Sequence, residues 1–170
     1  MCNLLLNIKP LSTQAFKPFG EVLDISSCKS ILINEGSCLK FDLHFSFADF
    51  DKTSNYRAKI YLAKKRHSPF SISSLENHPF GYQLFFPINN SPYIVIVAPL
   101  SPEPAIEQIN AFYVPGNVGV VIKRKVWHHS LISLRDEGNF FVIENDIPGN
   151  CIIKPISQAL ELDLYSKLFE

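Results

Sequence analysis

Two short stretches carry side chains with chemistry to offer. "KVWHHSL" (125–131) sets His128 and His129 directly behind Trp127, the sole tryptophan, and "LENHPFGYQLFFP" (75–87) packs Glu76, His78 and Gln83 among apolar residues. An imidazole titrates near neutral pH, so a histidine can take a proton, give one, or offer a lone pair to a metal. A polar triad heading an aromatic strand is costly to bury without a ligand, about 1–3 kcal/mol for each unpaired group. The bland alternatives stay open: His-Pro-Phe-Gly can be an ordinary turn, and a histidine beside a tryptophan can be core. Neighbouring residues of a strand face opposite sides, so Trp127 and His129 share one face and His128 takes the other. One of the two histidines is expected to reach an interior; periodicity does not say which.

The elements that must position these residues are short. Runs rich in β-branched and aromatic residues cover Leu39–Phe47, Lys59–Leu62, Tyr82–Ile88, Tyr93–Ala98, Ala111–Val114, Gly119–Lys123, Trp127–Leu134 and Phe140–Glu144, the composition of strands. Between them lie "INNSP", "PLSPEP", "VPGNVG", "RDEGN" and "NDIPGN", where proline fixes φ and glycine tolerates positive φ. Many short strands at this spacing predict an all-β barrel or sandwich. Helices are expected only at the ends. Ser12 or Thr13 can cap a short one that Pro18 and Gly20 close. Behind Ser157, Leu160, Leu164 and Leu168 recur four apart, the spacing of an amphipathic helix.

A chain of 170 residues with 46% apolar and 19% charged side chains forms one sizeable core, so residues 1–170 are read as a single domain. Lysine plus arginine and aspartate plus glutamate balance at 16 each, which leaves no global field for nucleic acid or anionic lipid. The one basic cluster, Lys64-Lys65-Arg66-His67, is short enough to be a solvated loop. Cys2, Cys28, Cys38 and Cys151 show no C-x-x-C spacing and read as free thiols of a reducing compartment. "MCNLLLNIKP" has no basic leader region, and "YIVIVAPL" falls far short of the roughly 20 residues that span a bilayer. The expected location is cytoplasmic, with neither nucleic acid nor membrane as partner.

In order along the chain, "LENHPFGYQLFFPI", "YIVIVAP", "INAFYVPGNVGVVIKRKVWHHSLISL", "NFFVIEND" and "GNC" resemble the ureidoglycolate lyase family, also labelled ureidoglycolate hydrolase. Its corresponding pattern runs approximately L-E-R-H-P-x-G-x-Q-x-F-x-P, then V-V-V-A, A-F-x-x-x-G-x-G-V-x-x-H-R-x-x-W-H-H-P-L, D-F-x-x-I-D-R and a late N-C. "FKPFGEVLD" and "INEG" extend the likeness upstream. The resemblance implies a cupin-like β-barrel (a double-stranded β-helix), a homodimer, and cleavage of ureidoglycolate to glyoxylate and urea in allantoin and purine breakdown.

That substrate is a hemiaminal bearing a carboxylate, a small-molecule ureido acid. Splitting it takes a base for the hydroxyl proton, an acid for the leaving urea nitrogen, and a cation for the carboxylate. Carried over by position, the resemblance makes Arg124 the carboxylate anchor and gives proton transfer to His128, His129, His78 and Glu144. Gln83 and Asn34 orient the urea amide, and Trp127 and Lys123 complete the substrate contacts. No metal is predicted. Were a divalent one used, His78, Gln83, His128 and Glu144 are the remaining nitrogen and oxygen donors.

Four positions depart from the family pattern. Asn77 stands for an arginine, Lys123 for a histidine, Ser130 for a proline and Asn145 for an arginine. Losing a guanidinium removes a fixed fork of donors, and Lys123 replaces an imidazole with an ammonium. These changes are expected to fall on substrate contacts. The alternative they raise is a catalytically impaired barrel that binds a small carboxylate.

Overall fold

Alternation of apolar and polar residues, broken every few positions by proline, glycine or asparagine, leaves the backbone little choice but short strands. The structure is a computed structural model and describes residues 4–43, 45 and 54–164. The strands are β1 (Leu4–Leu6), β2 (Ile8–Pro10), β3 (Gly20–Leu23), β4 (Ser30–Ile33), β5 (Cys38–Phe41), β6 (Tyr56–Ala63), β7 (Phe70–Asn77) and β8 (Gln83–Pro87). They continue with β9 (Tyr93–Ala98), β10 (Asn110–Val114), β11 (Gly119–Ile122), β12 (Trp127–His128), β13 (Ile132–Ser133), β14 (Gly138–Asn145) and β15 (Ile152–Leu162). One sheet runs β1-β15-β7-β12-β9-β10-β2, with β13 also paired to β9; a second runs β3-β11-β8-β14-β6; among the described residues β4 and β5 pair only with each other.

The core lies between the two large sheets and behind the first. Strand β9, apolar throughout, has both faces packed. Tyr93, Val95 and Val97 meet Phe85, Val120, Ile122, Phe140 and Val142 of the second sheet, whereas Ile94, Ile96 and Ala98 join Ile72, Leu75, Trp127, Leu160 and Leu162. Each such aliphatic side chain contributes about 1.5–3 kcal/mol on burial. This all-β, two-sheet barrel is the architecture expected.

The N-terminal helix forms as α1 (Thr13–Phe16), with the Ser12 side chain accepting from the Ala15 N–H at 3.2 Å, one of the donors a helix start leaves unpaired. The C-terminal helix does not form where it was expected. Residues 157–162 belong to β15, paired with β7, and residues 165–170 lie outside the described part of the chain. The leucine spacing misleads because Leu160 and Leu162, two apart, are the buried pair, and two apart is strand period. The run Trp127–Leu134 is likewise split into β12 and β13.

Two irregularities position the site. In β7 the buried residues are Phe70 and Ile72, then Leu75 and Asn77; the alternation slips by one where the register with β15 shifts between Pro155 and Leu160. The slip takes Glu76 off the face of Phe70 and Ile72, where unbroken alternation would have put it. At the following His-Pro-Phe-Gly turn, a Cβ on Gly81 would meet the Asn145 Cβ at 2.5 Å and the Tyr56 hydroxyl at 3.0 Å, so only glycine lets β14 pass this closely.

Candidate active site

Register alone brings the first group of polar side chains together. His128 of β12 lies directly opposite Glu76 of β7, so their side chains leave the sheet on one face. His78, two residues beyond Glu76, continues on it. Trp127, one residue before His128, points the other way into the core. Strand alternation thus makes His128 the inward histidine.

Both imidazoles are fixed from behind. His128 is 1% exposed, and its Nδ1–H donates to the Val126 carbonyl at 3.0 Å. The Nδ1 of His78 bonds the Asn150 carbonyl. A carbonyl only accepts, so in each ring Nδ1 carries a proton, which leaves Nε2 as the nitrogen turned away from the backbone. Among the described residues neither Nε2 has a hydrogen-bond partner, although both are buried. The rings stand 5.1 Å apart, and Glu76 Oε1 lies 3.7 Å from His128 Nε2. Burial, reinforced by His78, pushes His128 down to about 3, so it is a neutral imidazole at pH 7.

The opposite wall comes from the inner face of the second sheet. Phe140 and Val142 give way along β14 to Glu144, and Phe85 gives way along β8 to Gln83. Tyr61 and Lys59 of β6 pair in register with Phe140 and Val142. Glu144 accepts from Lys59 Nζ at 2.6 Å, Gln83 Nε2 at 2.7 Å and the Tyr61 hydroxyl at 3.0 Å. Burial raises the Glu144 carboxyl, but these three donors outweigh it and hold it below its ordinary value. Lys59 is raised, chiefly by its bond to Glu144. Burial and then Glu144 raise the Tyr61 phenol, which keeps it protonated.

Between the walls opens a cleft of about 530 Å³, lined by Glu76, His78, Gln83, Glu144, Tyr61 and Ser130 among others. The Oε1 of Gln83, buried at this cleft, also lacks a partner. Three buried polar atoms without a partner among the described residues, each costing about 1–3 kcal/mol, are more than a stable interior leaves without a ligand. The donor atoms of Glu76, His78 and His128 all lie within 4.8 Å of one another, and two imidazoles with one carboxylate are a donor set for a first-row divalent cation. The backbone carbonyls behind the rings are the outer partners such ligands take. The residues fit a cation.

The sequence-derived site divides accordingly. His78, Gln83 and Glu144 line the cleft; His128 is not among its lining residues but adjoins it through the ring of His78, 5.1 Å away. His129 lies behind, its ring edge on Phe70 at 5.4 Å, in a smaller hollow of about 160 Å³ shared with Glu76, His128 and Ile153; burial lowers its pKa. Trp127 is core, its Nε1–H donating to the Ser101 carbonyl at 2.9 Å, not a substrate contact. Lys123 bonds the Lys17 carbonyl at 2.8 Å and faces Glu21, away from the cleft. Arg124 is exposed in the turn before β12 and is not among the cleft-lining residues. Asn34 sits exposed between β4 and β5 with φ 52° and is not brought to the cleft either. The donor set for a cation contains Glu76 in place of Gln83 and Glu144.

Sequence reading missed Lys59 and Tyr61 and left Glu76 without a role. The sequence does mark 59–62 as a strand, but only pairing with β14 aims its odd residues at Glu144. Three of the four departures are also absent from the cleft lining. Asn145 is 4% exposed and braces the turn after β7, donating to the Phe80 carbonyl at 2.7 Å and accepting from the Asn55 N–H at 2.7 Å. Asn77 is buried on the core side, and Lys123 is tied to residue 17. Ser130 alone lines the cleft.

Sheets, cleft and donor set define an all-β protein with a histidine-and-carboxylate pocket between two sheets. Residues 3–162 match the family model described as Ureidoglycolate lyase. A protein called ureidoglycolate lyase from Azotobacter vinelandii is 35% identical over 148 residues, 86% of this chain and 89% of its own length. Its namesake in Pseudomonas fluorescens strain Pf0-1 is 32% identical over 145 residues, 85% and 87% of the two chains. Among solved structures, RmlC from Streptococcus suis in complex with dTDP-D-xylose aligns over 85% of this chain and 73% of its own, with a TM-score of 0.46 and 11% identity. The chain belongs to the ureidoglycolate lyase family.

Proposed function

We propose that the protein is a lyase that cleaves ureidoglycolate to glyoxylate and urea, and that the cleft between Glu76, His78 and His128 on one side and Gln83, Tyr61 and Glu144 on the other is where it does so. What carries this reading is that two buried atoms without a partner among the described residues, His78 Nε2 and Gln83 Oε1, line one cleft of a chain from this family, with the His128 ring adjoining at 5.1 Å from that of His78. Substrate chemistry matches them. The unpaired Gln83 Oε1 accepts an N–H of the urea amide. A neutral histidine Nε2 takes the hydroxyl proton as the carbon–nitrogen bond breaks, its electron pair leaving on nitrogen. The Tyr61 hydroxyl, kept protonated, is the acid nearest to hand for that nitrogen. Glu144, clamped by three donors, orients Gln83 and Tyr61. A divalent cation held by Glu76, His78 and His128 would supply the counter-charge for the carboxylate and acidify the hydroxyl without a separate base.

The wider setting belongs to the same proposal: a cytoplasmic homodimer acting in allantoin and purine breakdown. No helix among the described residues is long and apolar enough to cross a membrane. Support for a second copy comes from the isolated β4–β5 hairpin, where Ile31, Leu32 and Leu39 are exposed; a two-stranded hairpin with exposed apolar residues gains from being covered. Sedimentation of the purified protein tests this, and a monomer at micromolar concentration refutes it.

Incubation with racemic ureidoglycolate, following glyoxylate, tests the lyase. Release above the spontaneous rate, in chelator-treated or cation-supplemented protein, is the expected result. No excess release under either condition eliminates the activity.

A further inference from the structure

The donor set is held by a neighbour that the proposed chemistry does not use. Ile153 of β15 lies opposite Glu76 in register, so Cys151, two residues earlier, shares that face and is the diagonal neighbour of the carboxylate. Its thiol donates to Glu76 Oε2 at 3.5 Å, while Oε1 of the same carboxylate faces His128 Nε2 at 3.7 Å. The preceding residue supplies the carbonyl that fixes His78. Asn150 is itself 7% exposed and pinned twice by its side chain, which accepts from the Phe80 N–H at 2.9 Å and donates to the Asn145 carbonyl at 2.6 Å. Cys151, by contrast, is exposed and adds nothing to the core. An exposed thiol aimed at one oxygen of a carboxylate whose other oxygen faces a buried, unpartnered imidazole is explained by what it does to that carboxylate.

We propose that Cys151 is a positioning residue for Glu76: its S–H holds Oε2 so that Oε1 turns toward the two imidazoles, while the adjoining Asn150 carbonyl sets the ring of His78. One dipeptide thereby orients two of the three donors. This rests on the reading that Glu76, His78 and His128 form the working set, and it assigns the thiol no bond to a cation. The carboxylate is rotationally free about its last bond, and an S–H donor, though weak, removes that freedom without adding charge.

The test compares the full-length protein with Cys151→Ala and Cys151→Ser, measuring glyoxylate release, cobalt(II) uptake by visible absorption, and thermal midpoint. Loss of the donor in Cys151→Ala lowers kcat about tenfold with KM within about twofold, and weakens cobalt binding about tenfold, as losing an outer partner does. Cys151→Ser, which restores an O–H donor, recovers most of both, and the midpoints agree. Wild-type cobalt protein shows no thiolate-to-cobalt charge-transfer band. Alanine indistinguishable from wild type, serine as impaired as alanine, or a charge-transfer band overturns the proposal. Should wild type bind cobalt and show the alanine–serine contrast yet release no glyoxylate, the lyase reading falls and this one stands. If it takes up no cobalt, the contrast in glyoxylate release decides. If it does neither, the inference falls with its site.

Discussion

On the Glu144 wall of the cleft, one carboxylate receives three hydrogen bonds, from Lys59, Gln83 and Tyr61. Across from it the Nε2 atoms of His78 and His128, buried to a similar or greater degree, receive none. Both walls are polar interiors of a β-barrel, and both carry the desolvation cost that burial imposes. The first wall offsets that cost internally and gains shape. The second leaves it outstanding, which a native interior does where a ligand will complete the set. The difference separates Glu144, which holds Gln83 and Tyr61 in place, from the histidines across the cleft that it does not touch, though every one of them is a plausible catalytic type.

The largest test of this contrast is on the open wall. His78→Ala or His128→Asn lowers kcat/KM for glyoxylate release by about 100-fold or more, the scale of a lost proton-transfer group or metal ligand. An effect below tenfold would erase the distinction between the walls. On the saturated wall the main loss is of stability. Glu144→Leu leaves three donors without their acceptor and costs about 1–3 kcal/mol in urea unfolding; an unchanged midpoint would show that the network carries no structural load.

A third experiment sharpens the comparison through pH. The folded-state pKa of Glu144 lies below its ordinary value, so its contribution to stability is fully present above the unfolded carboxylate pKa, about 4.3, and is lost as pH falls through the folded value. Unfolding free energies measured from pH 6 downward should therefore decline less steeply in Glu144→Gln than in wild type. Equal slopes would mean that the three donors do not favour the charged carboxylate. The smallest effect is expected outside both walls. Arg124→Ala should leave KM within about twofold, since a surface charge remote from the site adds little. A KM rise of tenfold would reinstate it as the carboxylate anchor.

Much of the site was legible as two polar islands. The roles of His78, Gln83, His128 and Glu144 came from the resemblance to the family, by position; that "LENHPFGYQ" and "WHH" lie side by side is the work of the β7–β12 pairing. The partition of the neighbours was not legible. Trp127 and His128 are adjacent in sequence, yet one is core and the other faces the cleft. Arg124, three residues before Trp127, is exposed. Asn77 and Asn145 stand where the family carries arginine and look like losses from a binding site. They are buried, and Asn145 ties a turn. Activity is therefore not argued against by these two substitutions.

The sequence by itself determined that most of the strands would form and where turns would cut them, because apolar periodicity and turn chemistry are local properties written into each short segment. Only the tertiary structure decided which face of each strand became the cleft. A strand offers two equivalent faces, and the choice is made by register with partners far along the chain: β12 against β7, β6 against β14, and the slip between β7 and β15 that turns Glu76 toward His128. A shift of one residue in any of those pairings exchanges inside for outside, and no local signal fixes it.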